Sequence, residues 1–108
     1  ACRTCGAVAR PNILMFGDYS WIGDRTAAQE ERFDAFLQSH RGAPLVVLEL
    51  GAGTALPTIR HLSERLGARF DATVVRINPR EYSIASPHLS LASGALDGLQ
   101  GIAQFLES

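Results

Sequence analysis

Three observations predict an α/β fold with a mainly parallel sheet. An almost unbroken apolar run, Leu45-Val46-Val47-Leu48-Glu49-Leu50, ends in Gly51-Ala52-Gly53-Thr54 and then Pro57, the pattern of a buried parallel strand turning into a helix. From about Ala55 to Leu66, Ile59, Leu62 and Leu66 recur at helical spacing, with Pro57 in the first turn and Gly67 placed to cap the carboxy end. Ala72-Thr73-Val74-Val75-Arg76-Ile77 is then short, β-branched and stopped by Asn78-Pro79. Strand, helix, strand is a βαβ unit, for which a right-handed crossover is expected.

Composition narrows the classes. The length of 108 residues corresponds to one domain or part of a larger one. With 46% hydrophobic and 19% charged residues, neither disorder nor a fibrous class is indicated. A net charge of −1 without a basic run gives no electrostatic case for nucleic acid. The apolar run is too short to span a bilayer and no leader pattern opens the chain, so no membrane partner and a cytoplasmic location are expected. The chain starts at Ala1 and its only methionine is Met15, inside a strand-like segment, so it reads as the carboxy-terminal piece of a longer protein.

In chain order, Cys2-Arg3-Thr4-Cys5-Gly6 has the shape of a zinc knuckle, in which a turn aims two thiolates at one ion. A structural zinc takes four ligands, and His40, His61 and His88 lie too far along for a familiar spacing. A redox pair or two incidental thiols are the alternatives, although redox pairs normally follow a strand and open a helix. Arg10-Pro11-Asn12-Ile13-Leu14-Met15-Phe16-Gly17-Asp18 reads as an extended entry and a short buried strand, whose end either turns or pairs with an extended peptide. Tyr19 to Gly23 is an aromatic loop, either a lid or a segment packed on the next helix. That helix runs from Asp24 or Arg25 to about His40, with Phe33, Phe36 and Leu37 on one face and a charged wet side. At the other end, Leu89 and Leu91 mark a short strand, and Ser93 is read as the cap of a last helix striped by Leu96, Leu99, Ile102, Ala103 and Leu106.

Loops after the carboxyl ends of parallel strands gather on one edge. Gly51, Ala52, Gly53 and Thr54 should therefore lie beside Asn78, Pro79 and Arg80, with Gly94, Ala95 and Leu96 as a third side. Glycines admit a ligand close to the backbone, a helix start offers unpaired N–H groups, an amide can bond ribose hydroxyls and a guanidinium can reach a phosphate or an adenine ring. Plain turns account for the same residues.

In this order the pieces resemble the carboxy-terminal half of the sirtuin (Sir2) family of NAD-dependent protein lysine deacylases, over nearly the whole chain. Cys2-Arg3-Thr4-Cys5-Gly6 resembles the second cysteine pair of the family's structural zinc site. Arg10 to Asp18 is similar to the family's R-P-[DN]-[VI]-V-x-F-G-E segment. The turn at Gly51 to Thr54 stands where the family has G-[TS]-S, one residue shorter up to the matching Pro57, and Ile77-Asn78 resembles its I-N pair. Asp18 replaces the usual glutamate. The resemblance implies a Rossmann-like three-layer α/β/α fold with a mainly parallel sheet, present as a partial domain. Residues 1–9 would be half of a zinc knuckle and 10–108 the carboxy-terminal part of the NAD-binding domain.

It implies NAD held by Gly51, Ala52, Gly53, Thr54, Asn78, Pro79, Arg80, Gly94, Ala95 and Leu96, and zinc half-ligated by Cys2 and Cys5. It implies an acyl-lysine peptide against Ile13, Leu14, Phe16, Gly17 and Asp18, with Leu14 and Phe16 lining the acyl-lysine tunnel and backbone from Phe16 to Asp18 pairing with the peptide. The family's G-A-G-x-S loop, T-Q-N segment, catalytic histidine and first cysteine pair are not in this sequence, so no catalytic residue is assigned. The implied partners are the missing amino-terminal half and, through the face it would cover, further copies of the chain. The alternatives are a non-catalytic NAD or ADP-ribose module, and a protein-interaction scaffold.

Overall fold

A computed structural model describes residues 1–108, which divide into two compact units, Ala1–Ser39 and His40–Ser108.

In the first unit, one helix, α1 (Asp24–Ser39), follows 23 residues without strand or helix. Its start is marked by Gly23, whose carbonyl accepts the Ala27 N–H at 2.9 Å. The Trp21 indole folds over Gly23, and a Cβ there would lie 3.0 Å from the ring. The aromatic loop thus packs on the helix start. The strand expected at Ile13 to Phe16 does not form. The Arg10 guanidinium binds the Ile13 carbonyl at 2.7 Å and also the Asp18 carboxylate, which closes the segment into a loop, and no neighbouring strand in the unit pairs with it.

The second unit is the βαβ unit with additions: β1 (Val46–Leu50), α2 (Thr58–Phe70), β2 (Thr73–Ile77), β3 (Leu89–Leu91) and α3 (Ala95–Leu106). The three strands form one parallel sheet in the order β1-β2-β3. Leu50, Ile77 and Leu91 stand in register, so all three strands end on the same edge. A small α/β fold is thereby established.

Three helix limits differ from the sequence reading. The α2 helix begins at Thr58, because the residue before a proline is biased away from helical backbone and Pro57 takes the cap position. It continues past Gly67, where a Cβ would come within 3.0 Å of His88 and of Val74, so this glycine lets the helix approach the sheet. Asp71, left-handed with φ 51°, closes the helix through its N–H to the Gly67 carbonyl. Ser93 is not the cap of α3; its hydroxyl donates to the Gly94 carbonyl at 3.2 Å and Gly94 holds the cap position.

The two sheet faces differ. On one, α2 presents Arg60, Ser63 and Gly67, while the expected Ile59 of its stripe is exposed. Beneath them lies a buried ion pair between register partners: Arg76 Nε and Nη2 donate to the two Glu49 oxygens at 2.5 and 3.0 Å. Arg76 also reaches Glu64 at 3.0 Å and the Ser83 carbonyl at 2.8 Å. On the other face, Gly98 of α3 rests on Ile77, which is 0% exposed. A Cβ at position 98 would lie 2.8 Å from Ile77 Cγ2. Gly98→Val is therefore expected to lower stability by about 1–3 kcal/mol through overpacking, read as a lower urea midpoint at unchanged slope. Beyond α3, Val46, Leu48, Val75, Leu89, Ile102 and Leu106 line an open apolar hollow of about 520 Å³. Parallel sheets are normally covered on both faces. Here Val46 and Leu48 remain 59% and 46% exposed.

Candidate functional site: the rim at the strand ends

The shared register brings the loops after β1 and β2 side by side, and three side chains lace them together. Asn78, 6% exposed, donates from Nδ2 to the Ala52 carbonyl at 3.2 Å. Its Oδ1 accepts the N–H groups of Arg80 at 3.0 Å and Glu81 at 2.9 Å. Arg60, in the first turn of α2, donates from Nε to the Ala52 carbonyl at 3.0 Å and from Nη2 to the Glu81 carbonyl. Thr54 donates its hydroxyl to Glu81 Oε1 and its N–H to Oε2, the latter at 3.3 Å. The hydrogen bonds from Thr54 hold the Glu81 carboxyl below the usual glutamate range, against the opposing effect of desolvation, and the Arg60 charge adds to the lowering.

Glycine matters at two places in the first loop. Gly51 has φ +64°, which other residues rarely adopt, and a Cβ on Gly53 would lie 3.4 Å from Glu81 Oε2. The third corner leaves the same edge. The Asn78 N–H donates to the Leu91 carbonyl at 3.1 Å, and Gly94, Ala95 and Leu96 open α3 three residues beyond β3. Pro79, Arg80, Ala95 and Leu96 are exposed along this rim.

The chemistry of the rim follows from its parts. The α2 start has neither a side-chain cap nor an acidic residue in its first turn, and the buried Arg60 guanidinium lies in that same turn. Free N–H groups, the dipole end and a cation make it the favourable seat for an anion such as a phosphate. The α3 start carries Asp97 in its first turn and the exposed apolar Leu96, and so suits an uncharged ring better. Glu81 offers carboxylate oxygens to hydroxyl donors.

Asn78 is chiefly a staple, since both its amide groups serve backbone atoms. Arg60 and Glu81 as connectors, and the Glu49–Arg76 pair behind them, escaped the sequence reading. Their signal was a lone charge in each of two apolar strands and an arginine three residues after the helix-opening proline.

The other assigned residues lie in the first unit. Leu14, Phe16, Gly17 and Asp18 border a shallow hollow of about 460 Å³ together with Met15 and Tyr19. Ile13 lines a second one beside Arg10 and Pro11. Phe16 is 95% exposed, and the Asp18 side chain is engaged by Arg10. Its hydrogen bond with Arg10 holds the Asp18 carboxyl low against desolvation. Cys2 and Cys5 are free thiols in a closed turn, with Gly6 N–H to Cys2 O at 2.9 Å and Cys2 N–H to Ala7 O at 2.7 Å. The N–H groups of Cys5 and then Thr4 bond the Cys2 sulfur and bring its thiol down to about 7. The pair offers two of the four ligands a structural zinc needs, and no third histidine, cysteine or carboxylate stands with them.

Of the histidines, His61 is exposed on α2 next to Arg60, while His40 and His88 precede strands and so lie toward the opposite edge; His88 Nδ1 accepts the Val74 N–H at 3.3 Å. No helix is long and apolar enough to cross a membrane. No protein-family model, curated protein or solved structure matches the chain.

Proposed function

We propose that the chain is the carboxy-terminal, nucleotide-binding part of a sirtuin-type NAD-dependent protein lysine deacylase, built as part of a Rossmann-like three-layer domain and completed by an amino-terminal half. The observation that carries this reading is the lacing of the β1 and β2 loops by Asn78, Arg60 and Glu81 on the edge where all three strands end. In open parallel sheets, dinucleotides are received at this edge.

The residues fit the group. A pyrophosphate would be met by the α2 start above Arg60, a ribose by the Glu81 carboxylate and an adenine by Leu96 and Arg80. When bound, NAD supplies an electrophilic ribose carbon from which nicotinamide departs. The chain's own residues bind and orient the nucleotide. The base that removes a ribose proton, the other two zinc ligands and the second wall of the cleft would come from the amino-terminal half. The uncovered apolar sheet face and the edge position of β1 support that division, and the same surface would drive self-association of the isolated chain.

The alternative, an ADP-ribose-binding module, would use the same three loops without catalysis. The longer reading frame decides between them. Joined to an upstream segment with a histidine and a second cysteine pair, the protein is expected to release nicotinamide from NAD only with an acyl-lysine peptide. Binding of ADP-ribose with no such release would favour the module. Glu81→Ala is expected to raise the dissociation constant for ADP-ribose about tenfold or more in calorimetry, the loss of a charge-assisted hydrogen bond.

A further inference from the structure

We infer that the Glu81 carboxylate is a built-in competitor for the phosphate place on the rim, drawn away only by a ribose, so that a nucleotide is admitted and free pyrophosphate is not. This selectivity rests on the nucleotide reading of the rim. The loop after β1 already holds an anion, and that anion is a side chain of the same molecule. Thr54 gives its hydroxyl to Glu81 Oε1 and its N–H to Oε2, the latter at 3.3 Å. Gly53 lets the carboxylate lie against the loop backbone, since a Cβ there would stand 3.4 Å from Oε2. A backbone N–H and a hydroxyl beside a glycine are also what a phosphate oxygen takes in glycine-rich loops. One set of donors cannot serve two anions, which moreover repel each other.

The part free to move is the side chain alone. Asn78 Oδ1 accepts the Glu81 N–H at 2.9 Å and Arg60 donates to the Glu81 carbonyl, so the backbone is held on both sides of an exposed residue. Hydrogen bonds from Thr54, helped by the charges of Arg60 and Arg80, hold the carboxyl below its ordinary value of 4.5, so at neutral pH the competitor is fully charged. Pyrophosphate brings acceptors only and has nothing to offer a displaced carboxylate. A nucleotide brings ribose hydroxyls, whose O–H groups donate to it and replace what Thr54 gave.

Calorimetry of the parent and of Glu81→Ala with pyrophosphate and with ADP-ribose tests this, because the two ligands should respond in opposite directions. Glu81→Ala should bind pyrophosphate about fivefold more tightly or better, and ADP-ribose about tenfold more weakly. Its circular dichroism should match the parent's, as the side chain is exposed and the backbone ties remain. The Thr54 amide resonance should move on loss of the carboxylate and return toward its parent position as pyrophosphate fills the place. Pyrophosphate binding that is absent, unchanged or weaker in Glu81→Ala would overturn the competition, and both ligands tightening together would overturn the selectivity. A parent that binds no ADP-ribose, beside a variant that gains pyrophosphate, would leave the competition standing and sink the nucleotide reading instead.

Discussion

Arg76→Met is expected to lower the stability of the chain by about 3–5 kcal/mol, because it leaves the Glu49 carboxylate buried without its bidentate partner. Glu49 is 2% exposed and lies in β1 under α2, where water cannot substitute for the lost guanidinium. Against a typical total of about 5–15 kcal/mol, a loss of that size unfolds a substantial fraction of a small domain. The double variant Arg76→Met with Glu49→Leu should recover much of it, since removing both charges removes the unpaired one. A double-mutant cycle in urea measures this, and additive losses would show that the pair is not coupled.

The same pair gives a pH dependence with a definite sign. Burial alone would raise the Glu49 carboxyl; hydrogen bonds from Arg76 and Ser63, with the charges of Arg76 and Arg60, more than offset it and hold the group below 4.5. Its folded-state value is therefore lower than its unfolded one. The stability it contributes is present above the ordinary carboxylate range and disappears as pH falls through the lowered value. Acid unfolding of the parent should thus be steeper below that range than for the double variant.

Asn78→Ala is expected to be the second large effect, about 2–4 kcal/mol, because the Arg80 and Glu81 N–H groups lose their acceptor together and the Ala52 carbonyl keeps only its hydrogen bond from Arg60 Nε. The loss should be local in character. Hydrogen exchange is expected to speed up in residues 51–54 and 78–81, and ADP-ribose binding to weaken at least tenfold as the two loops separate. Asn78→Asp separates the contributions: it retains the acceptor for the two N–H groups and sets a carboxylate against the Ala52 carbonyl. Its second loop should stay protected while its first does not. Equal protection of both loops in Asn78→Asp would mean that the Ala52 tie carries no weight.

Much of the fold was legible because its signals are local. The apolar run at Leu45 to Leu50, the β-branched Thr73 to Ile77 and the helical stripe of α3 report their structure by local pattern, and the parallel pairing of the two strands follows from the βαβ order. What escaped depends on side chains meeting across elements. Nothing local in Glu49 or Arg76 announces that the two stand opposite in neighbouring strands, and a glycine at 67 reads equally well as a helix end or as a point of close approach. The segment at Ile13 to Phe16 misled for a related reason. Its composition is that of a strand, but strand structure needs a neighbouring edge, and Arg10 instead ties both ends of the segment to one guanidinium. At the rim, the adjacency of the loops after β1 and β2 was legible from the βαβ order, whereas the bracing by Asn78 and Arg60 and the place of Glu81 emerged only from the hydrogen bonds.

On the proposed function, a dinucleotide is received where the three strands end. Backbone amide shifts recorded by nuclear magnetic resonance during titration with ADP-ribose test it most directly. Saturable shifts confined to Gly51–Thr54, the first turn of α2, Asn78–Glu81 and Gly94–Leu96 are expected. Shifts clustered instead around His40, Asp71 and His88 at the opposite edge, or none at millimolar ligand, would contradict it.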